Sequence, residues 1–142
     1  MFVQTILQTK GSEVVTLSQT ATLADAVALL NARNIGAIVI ADADRRILGI
    51  LSERDIVRQI GRNPDGALST PIAACMTSNV VTAELTTTID DVMERMTQRR
   101  IRHMPIAEDG VLVGIISIGD VVKLKIQEVE HEAEALRDYI AS

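Results

Sequence analysis

The chain states one pattern twice. Val14-Val15-Thr16 is matched by Val80-Val81-Thr82, Thr22-Leu23-Ala24-Asp25 by Thr88-Ile89-Asp90-Asp91, and Ile35 by Ile101, each pair 66 residues apart. Beyond the hairpin the offset is 65, so Gly49, Ser52 and Asp55 answer to Gly114, Ser117 and Asp120. The missing residue falls in Glu108-Asp109-Gly110, where a tight turn tolerates the loss. A register held over so many positions marks an internal tandem repeat.

Each copy predicts the order helix, strand, helix, strand, strand, helix. In the first, Phe2 to Gln8 suits a short helix and Val14-Val15-Thr16 a short strand. Thr22 opens a helix with a capping-box pattern, with Leu23, Ala26, Val27 and Leu30 at helical spacing. Ala37-Ile38-Val39-Ile40-Ala41 is a continuous apolar run, as in a strand buried on both faces. A polar turn at 42–46 leads to strand Ile47–Leu51, and a helix from Ser52 turns Ile56, Val57 and Ile60 inward. Gly61 to Gly66 is rich in chain breakers, and Thr70-Pro71 reads as an N-cap followed by Pro at the first helical position. The division is a first repeat at 1–62, a linker at 63–70, a second repeat at 71–126 and an extension of the last helix at 127–142.

The repeated junctions Gly49-Ile50-Leu51-Ser52-Glu53-Arg54-Asp55 and Gly114-Ile115-Ile116-Ser117-Ile118-Gly119-Asp120 each run from an apolar strand into a helix start. The Ser hydroxyl can accept from a first-turn amide, and the acid three residues on faces the positive end of the helix dipole. Free amides at such a helix start favour an anion beyond the strand end. An ordinary capping box explains either copy taken singly.

Composition removes several classes of function. The chain has 142 residues, 47% hydrophobic, with one Phe, one Tyr and no Trp. A base-stacking platform for single-stranded nucleic acid needs rings, and a net charge of −5 disfavours general phosphate-backbone binding. No apolar run approaches a membrane span and no cleavable signal is visible at Met1-Phe2-Val3-Gln4. Cys75 is the only cysteine, which fits a reducing compartment, so a cytoplasmic location is expected. Nucleophile elbow, P-loop and paired metal-ligand spacing are all absent, so no enzyme is expected. His103, His131 and Cys75 could join a metal site in principle, but a lone Cys flanked by apolar residues reads as core.

The element order, the two aliphatic-Gly-x-x-Ser-x-x-Asp junctions and Arg102-His103-Met104-Pro105 before a strand resemble tandem cystathionine-β-synthase (CBS) domains over about Phe2 to Ile126. The resemblance implies a mixed α/β fold, two CBS repeats packed as a pseudo-two-fold disc with a cleft on each side. It also implies a regulatory module that binds adenosine compounds: AMP, ADP, ATP, sometimes NAD or S-adenosylmethionine. By that resemblance Asp55 and Asp120 would accept from the ribose hydroxyls, a task two carboxylate oxygens suit. Ser52 and Ser117 would cap the helix or touch phosphate, backbone around Val15 and Val81 would read the adenine edge, and Arg102 and His103 would meet phosphate. Met104 and Pro105 complete the second-repeat set.

Charge distribution bears on the same sites independently. Arg95, Arg99, Arg100, Arg102 and His103 crowd one segment of an acidic chain, either as a solvated helix face or as a phosphate site. Lys123 and Lys125 lie early in the last helix, where the dipole disfavours cations unless an anion offsets it, and Arg54 and Arg58 hold that place in the first repeat. Where the second repeat has Arg102-His103, the first has Gly36-Ala37. Phosphate is therefore expected to matter most beside Ser117–Asp120, while Gly36 and Ala37 open the first cleft to bulkier or less anionic ligands. The alternative is that basic groups of one repeat reach the other's pocket.

Finally, Val122, Ile126, Val129, Ala133, Leu136 and Ile140 step by 4, 3, 4, 3 and 4, the rhythm of a coiled-coil seam. A partner helix or packing back on the same chain would both serve it. A homodimer and an unidentified protein target are the expected partners.

Overall fold

The structure is a computed structural model describing all 142 residues. The mixed α/β fold follows the repeat: helix α1 (Val3–Lys10), strand β1 (Thr16–Leu17), helix α2 (Leu23–Arg33), strands β2 (Ala37–Ala41) and β3 (Ile47–Ser52), and helix α3 (Glu53–Arg62). Two short 3-10 turns, Ala67–Ser69 and Ile72–Ala74, come next. Then follow α4 (Ile89–Arg99), β4 (His103–Glu108), β5 (Val111–Ser117) and the long α5 (Ile118–Ala141). No helix is long and apolar enough to cross a membrane.

In the first sheet β1 lies parallel to β2, which pairs antiparallel with β3. Ala37 to Ile40 of β2 are all buried, as a run covered on both faces requires. The second sheet has only β4 and β5. The expected strand at Val80-Val81-Thr82 is reduced to a single parallel bridge, Ala83 with Ile106. The cause lies across the ladder. Thr16 and Leu17 pair with Val39 and Ile40, and the matching partners at the 66-residue offset are Pro105 and Ile106. Val39 donates its amide to the Val15 carbonyl at 3.3 Å, whereas Pro105 has no N–H to give. Only the Ala83 rung survives.

The shortened hairpin turn holds Asp109 at φ 52° and Gly110 at φ 79°. Positive φ at both central residues is the two-residue turn whose twist matches the strands, which explains how the second copy lost a residue there.

Two cores form, and each borrows from the other half of the chain. Val3, Ile6 and Leu7 of α1 pack with Ile89, Val92, Met96, Met104 and Ile116 in the second core. Ala67 and Ile72, with Cys75 and Met76 beside them, pack with Leu23, Ile38 and Leu51 in the first. Thus α1 opens the first repeat in sequence and closes the second core in space. Pro71, expected to start an α-helix, caps only the 3-10 turn Ile72–Ala74. Val57 and Ile60 are a second correction. Placed inward by helical spacing, they are exposed, Val57 at 68%, and Ile56 alone of α3 is buried. Val27, at the edge of the α2 stripe, is also exposed.

Candidate functional site

Both junctions fold as capping boxes. Ser52 accepts from the Asp55 amide at 3.4 Å, and Asp55 Oδ2 accepts from the Ser52 amide at 2.9 Å. In the second copy the matching distances are 3.2 Å for the Asp120 amide to Ser117 and 2.8 Å for the Ser117 amide to Asp120 Oδ2. The first amide of each helix is also engaged: Glu53 donates to the Gly36 carbonyl at 3.1 Å and Ile118 to that of Arg102 at 2.8 Å. The anion-binding capacity expected of bare helix starts is therefore smaller than the sequence alone suggests.

What reaches each acid differs. Thr77 donates its hydroxyl to Asp55 Oδ1 at 3.3 Å. Lys10, at the end of α1, sits on Asp120: its Nζ is 2.8 Å from Oδ2 and 2.9 Å from the Ile115 carbonyl. Burial alone would raise the Asp120 carboxyl, but the Lys10 ammonium and the Ser117 amide and hydroxyl outweigh it and hold the group below its ordinary range.

One cleft of about 530 Å³ joins the two repeats. Ser52, Glu53, Arg54, Asp55 and Arg58 of the first repeat line one side, with Thr77 from across the boundary beside Asp55. Arg99, Arg100, Arg102 and His103 line the other. Arg102 and His103, expected beside Ser117–Asp120, thus also face the Ser52–Asp55 junction across the repeat boundary. Basic groups of the second repeat therefore face the first repeat's side of the cleft, whereas Arg54 stays beside its own junction and Lys123 does not line it.

Gly36 shows how close that approach is. A Cβ built there would lie 3.1 Å from His103 Cε1 and 3.5 Å from Glu53 Oε1. The space that Gly36 was expected to open holds the imidazole, and Ala37 is buried in β2. The opening expected at Gly36 to admit bulkier or less anionic ligands is thus narrowed by a histidine from the second repeat. Burial pushes the His103 imidazole below its ordinary value, Lys10 and Arg102 push the same way, and Glu53 and Asp120 only partly oppose them.

Arg54, Arg58, Arg99, Arg100 and Arg102 form neither an ion pair nor a side-chain hydrogen bond with any other residue of the chain. Five guanidiniums around one cleft, facing only Glu53 and Asp55, form a strongly cationic wall in a chain of net charge −5.

Other candidates fall elsewhere. Met104 is fully buried in the second core and Pro105 is buried next to it in β4, and neither lines the cleft. Val15 and Val81 are half-buried and outside this cleft. Lys123 is exposed on α5 and unpaired, while Lys125 is offset by Asp90 at 3.1 Å and Glu128 at 3.9 Å, not by a ligand. Arg95, part of the basic cluster, donates to the Thr82 carbonyl at 2.9 Å. Cys75 packs beside the first core; burial and the nearby Asp55 raise its thiol. His103, His131 and Cys75 do not converge. Sequence reasoning missed Lys10 and Thr77, whose roles depend on contacts across the repeat boundary. It also missed Glu53, which the offset pairs with Ile118 and so does not mark.

A family model described as "CBS domain" matches residues 7–62 and again 72–126. The chain is 34% identical over 123 residues to the mitochondrial CBS domain-containing protein CBSX3 of Arabidopsis thaliana, spanning 84% of this chain and 60% of that relative. It is 30% identical over 129 residues to CBS domain-containing protein YhcV of Bacillus subtilis, spanning 90% and 88%. The crystal structure of the CBS-domain containing protein ATU1752 from Agrobacterium tumefaciens superposes with a TM-score of 0.85 at 43% identity, over 88% of this chain and 99% of that one. The CBS domain pair of protein MJ0100, solved with 5′-methylthioadenosine and S-adenosyl-L-methionine, gives 0.80 at 26% identity over 90% and 98%. Protein PAE2072 from Pyrobaculum aerophilum, complexed with AMP, gives 0.75 at 28% identity over 84% and 89%. Repeat, fold and family model agree, and the chain belongs to the CBS domain family, with two such domains in tandem.

Proposed function

We propose that this chain is a regulatory sensor of an adenine nucleotide, ATP, ADP or AMP, with NAD as the dinucleotide variant. In this reading it acts on a protein target without catalysing a reaction. The observation that carries it is the cleft in which five unpaired guanidiniums face the Ser52–Asp55 junction. Similar domain pairs hold AMP in one case and adenosyl compounds in another, which supports the adenosine class.

Charge sharpens the choice within that class. A monophosphate brings about −2 at neutral pH. Five guanidiniums against two carboxylates leave the cleft an excess of three positive charges, which favours a di- or triphosphate. Asp55 would take the ribose hydroxyls, Arg102 with Arg99 and Arg58 the phosphates, and neutral His103 would donate or accept beside them. A second reading, an interaction module whose clefts stay empty, draws on Lys10, which already occupies the Asp120 carboxylate. The expected homodimer belongs to the sensor reading too.

Calorimetry with ATP, ADP, AMP and adenosine tests the proposal. Affinity should fall in that order, with no product formed on long incubation. Equal affinity for adenosine and ATP, or no binding by any of the four, would sink it.

A further inference from the structure

We infer that the distal half of α5 is one strand of a parallel two-stranded coiled coil made with a second copy of this chain, an inference that rests on the homodimer in the reading above and gives it a surface. From residue 130 to 141 every residue of α5 is exposed, and no other part of the chain covers the helix there. Packing back on the same chain, one of the two ways to cover the seam, is therefore not what the structure adopts. An isolated helix of that length is marginal in water. Yet its apolar residues remain on one stripe: Val129 is 51% exposed, Leu136 59% and Ile140 74%. The stripe runs unbroken into Val122 and Ile126, also exposed, on the part of α5 that lies against the second core.

The charges beside the stripe say what covers it. With Ile126, Ala133 and Ile140 at a, and Val122, Val129 and Leu136 at d, the g positions are Lys125, Glu132 and Tyr139, and the e positions Lys123, Glu130 and Arg137. In a parallel pair each g residue meets the e residue five positions on in the other copy. Lys125 then faces Glu130, and Glu132 faces Arg137, both of opposite sign. The antiparallel alignment that matches the same seam sets Glu130 against Glu130, Glu132 against Glu132 and Lys123 against Arg137, all like charges. Lys125 also holds Asp90 within its own chain, so Glu132 with Arg137 is the pair that decides direction.

The test uses the full chain in sedimentation over a concentration series, with three changes. Removal of residues 128–142 should weaken dimerisation markedly without altering the fold, because the segment makes almost no tertiary contact. Glu132→Arg should raise the dimer dissociation constant roughly tenfold, since two pairs per dimer change sign, and adding Arg137→Glu should restore it. Ile140→Cys should give a disulfide-linked dimer on mild oxidation, whereas antiparallel pairing would hold the two ends apart. A chain that is monomeric at every concentration overturns both the dimer and this surface. A dimer indifferent to the removal and to the charge swap leaves the dimer standing and overturns the coiled coil. A dimer that responds to the removal but forms no Ile140→Cys link overturns the parallel arrangement.

Discussion

The Ser52–Asp55 and Ser117–Asp120 junctions share a sequence pattern, a strand, a helix start and a capping box, yet they do not share neighbours. The first meets a neutral hydroxyl from Thr77 and a wall of arginines; the second meets the ammonium of Lys10. In the proposed sensor reading, a carboxylate with a free cationic wall opposite would take a ligand that carries both a diol and phosphate. A carboxylate already paired with its own chain's lysine must give up that partner first. Duplicated motifs thus fix where acids stand, while the segments that cross between the repeats decide what those acids do.

The difference can be broken from the phosphate side. Arg102→Ala should weaken ATP binding by about 1.5–3 kcal/mol while adenosine binding barely moves, since a charge-assisted bond is removed from the phosphates alone. Equal losses for the two ligands in calorimetry would place Arg102 away from the phosphates.

A somewhat smaller effect is expected from the acids. Asp55→Ala should cost nucleotide affinity about 1–2 kcal/mol through lost ribose bonds. Asp120→Ala should cost affinity less and show itself in thermal stability, because it removes a capping box and strands Lys10. If both variants lose affinity alike, the clefts are equivalent and the contrast fails.

Lys10→Ala sharpens the comparison further. The pair is partly exposed, so its loss should cost stability only about 0.2–1 kcal/mol. The sign with pH follows from the lowered Asp120 carboxyl. The contribution is complete above the ordinary value of 3.8 and is lost as the pH falls through the lower folded value. The stability gap between the two proteins should therefore be constant near neutrality and close on acidification. If Lys10 is what keeps ligand from Asp120, the variant should also bind more nucleotide per chain.

The smallest expected signal is a proton. Burial and nearby cations lower the His103 imidazole from its ordinary value of 6.5, and a bound polyphosphate beside it favours the charged form. Nucleotide binding slightly below that pH should draw in a fraction of a proton, visible as a dependence of the heat on buffer ionisation and absent in His103→Gln. His103 also makes the apo protein lose stability as pH falls below 6.5, because the unfolded chain takes up the proton more readily.

Local physics made much of this legible in the sequence. The two offsets placed both junctions, the apolar run Ala37 to Ala41 announced a buried strand, and the residue missing near Asp109-Gly110 located a tight turn. Where the reading failed, a partner distant in sequence intervened. Val80-Val81-Thr82 has strand composition, but Pro105 withholds the donor that would pair it. Gly36 looked like open space because the ring that crowds it most closely comes from the second repeat. A clue to the cationic cleft was present: Arg99 and Arg100 have no acid three or four residues before them in α4 to neutralise them.

The exchange of α1 and the segment 67–76 between the two cores has a consequence for how the molecule comes apart. Each covalent half holds a piece of the other's interior, so one half released alone would expose Val3, Ile6 and Leu7 and would retain a core without the cover that Ala67 and Ile72 supply. A nick within 63–66 should therefore leave the fragments bound to one another, and separately made halves should fold mainly on mixing. Heat or denaturant should meet a single cooperative unit, and a nucleotide that tightens one cleft should protect amides in both halves from exchange.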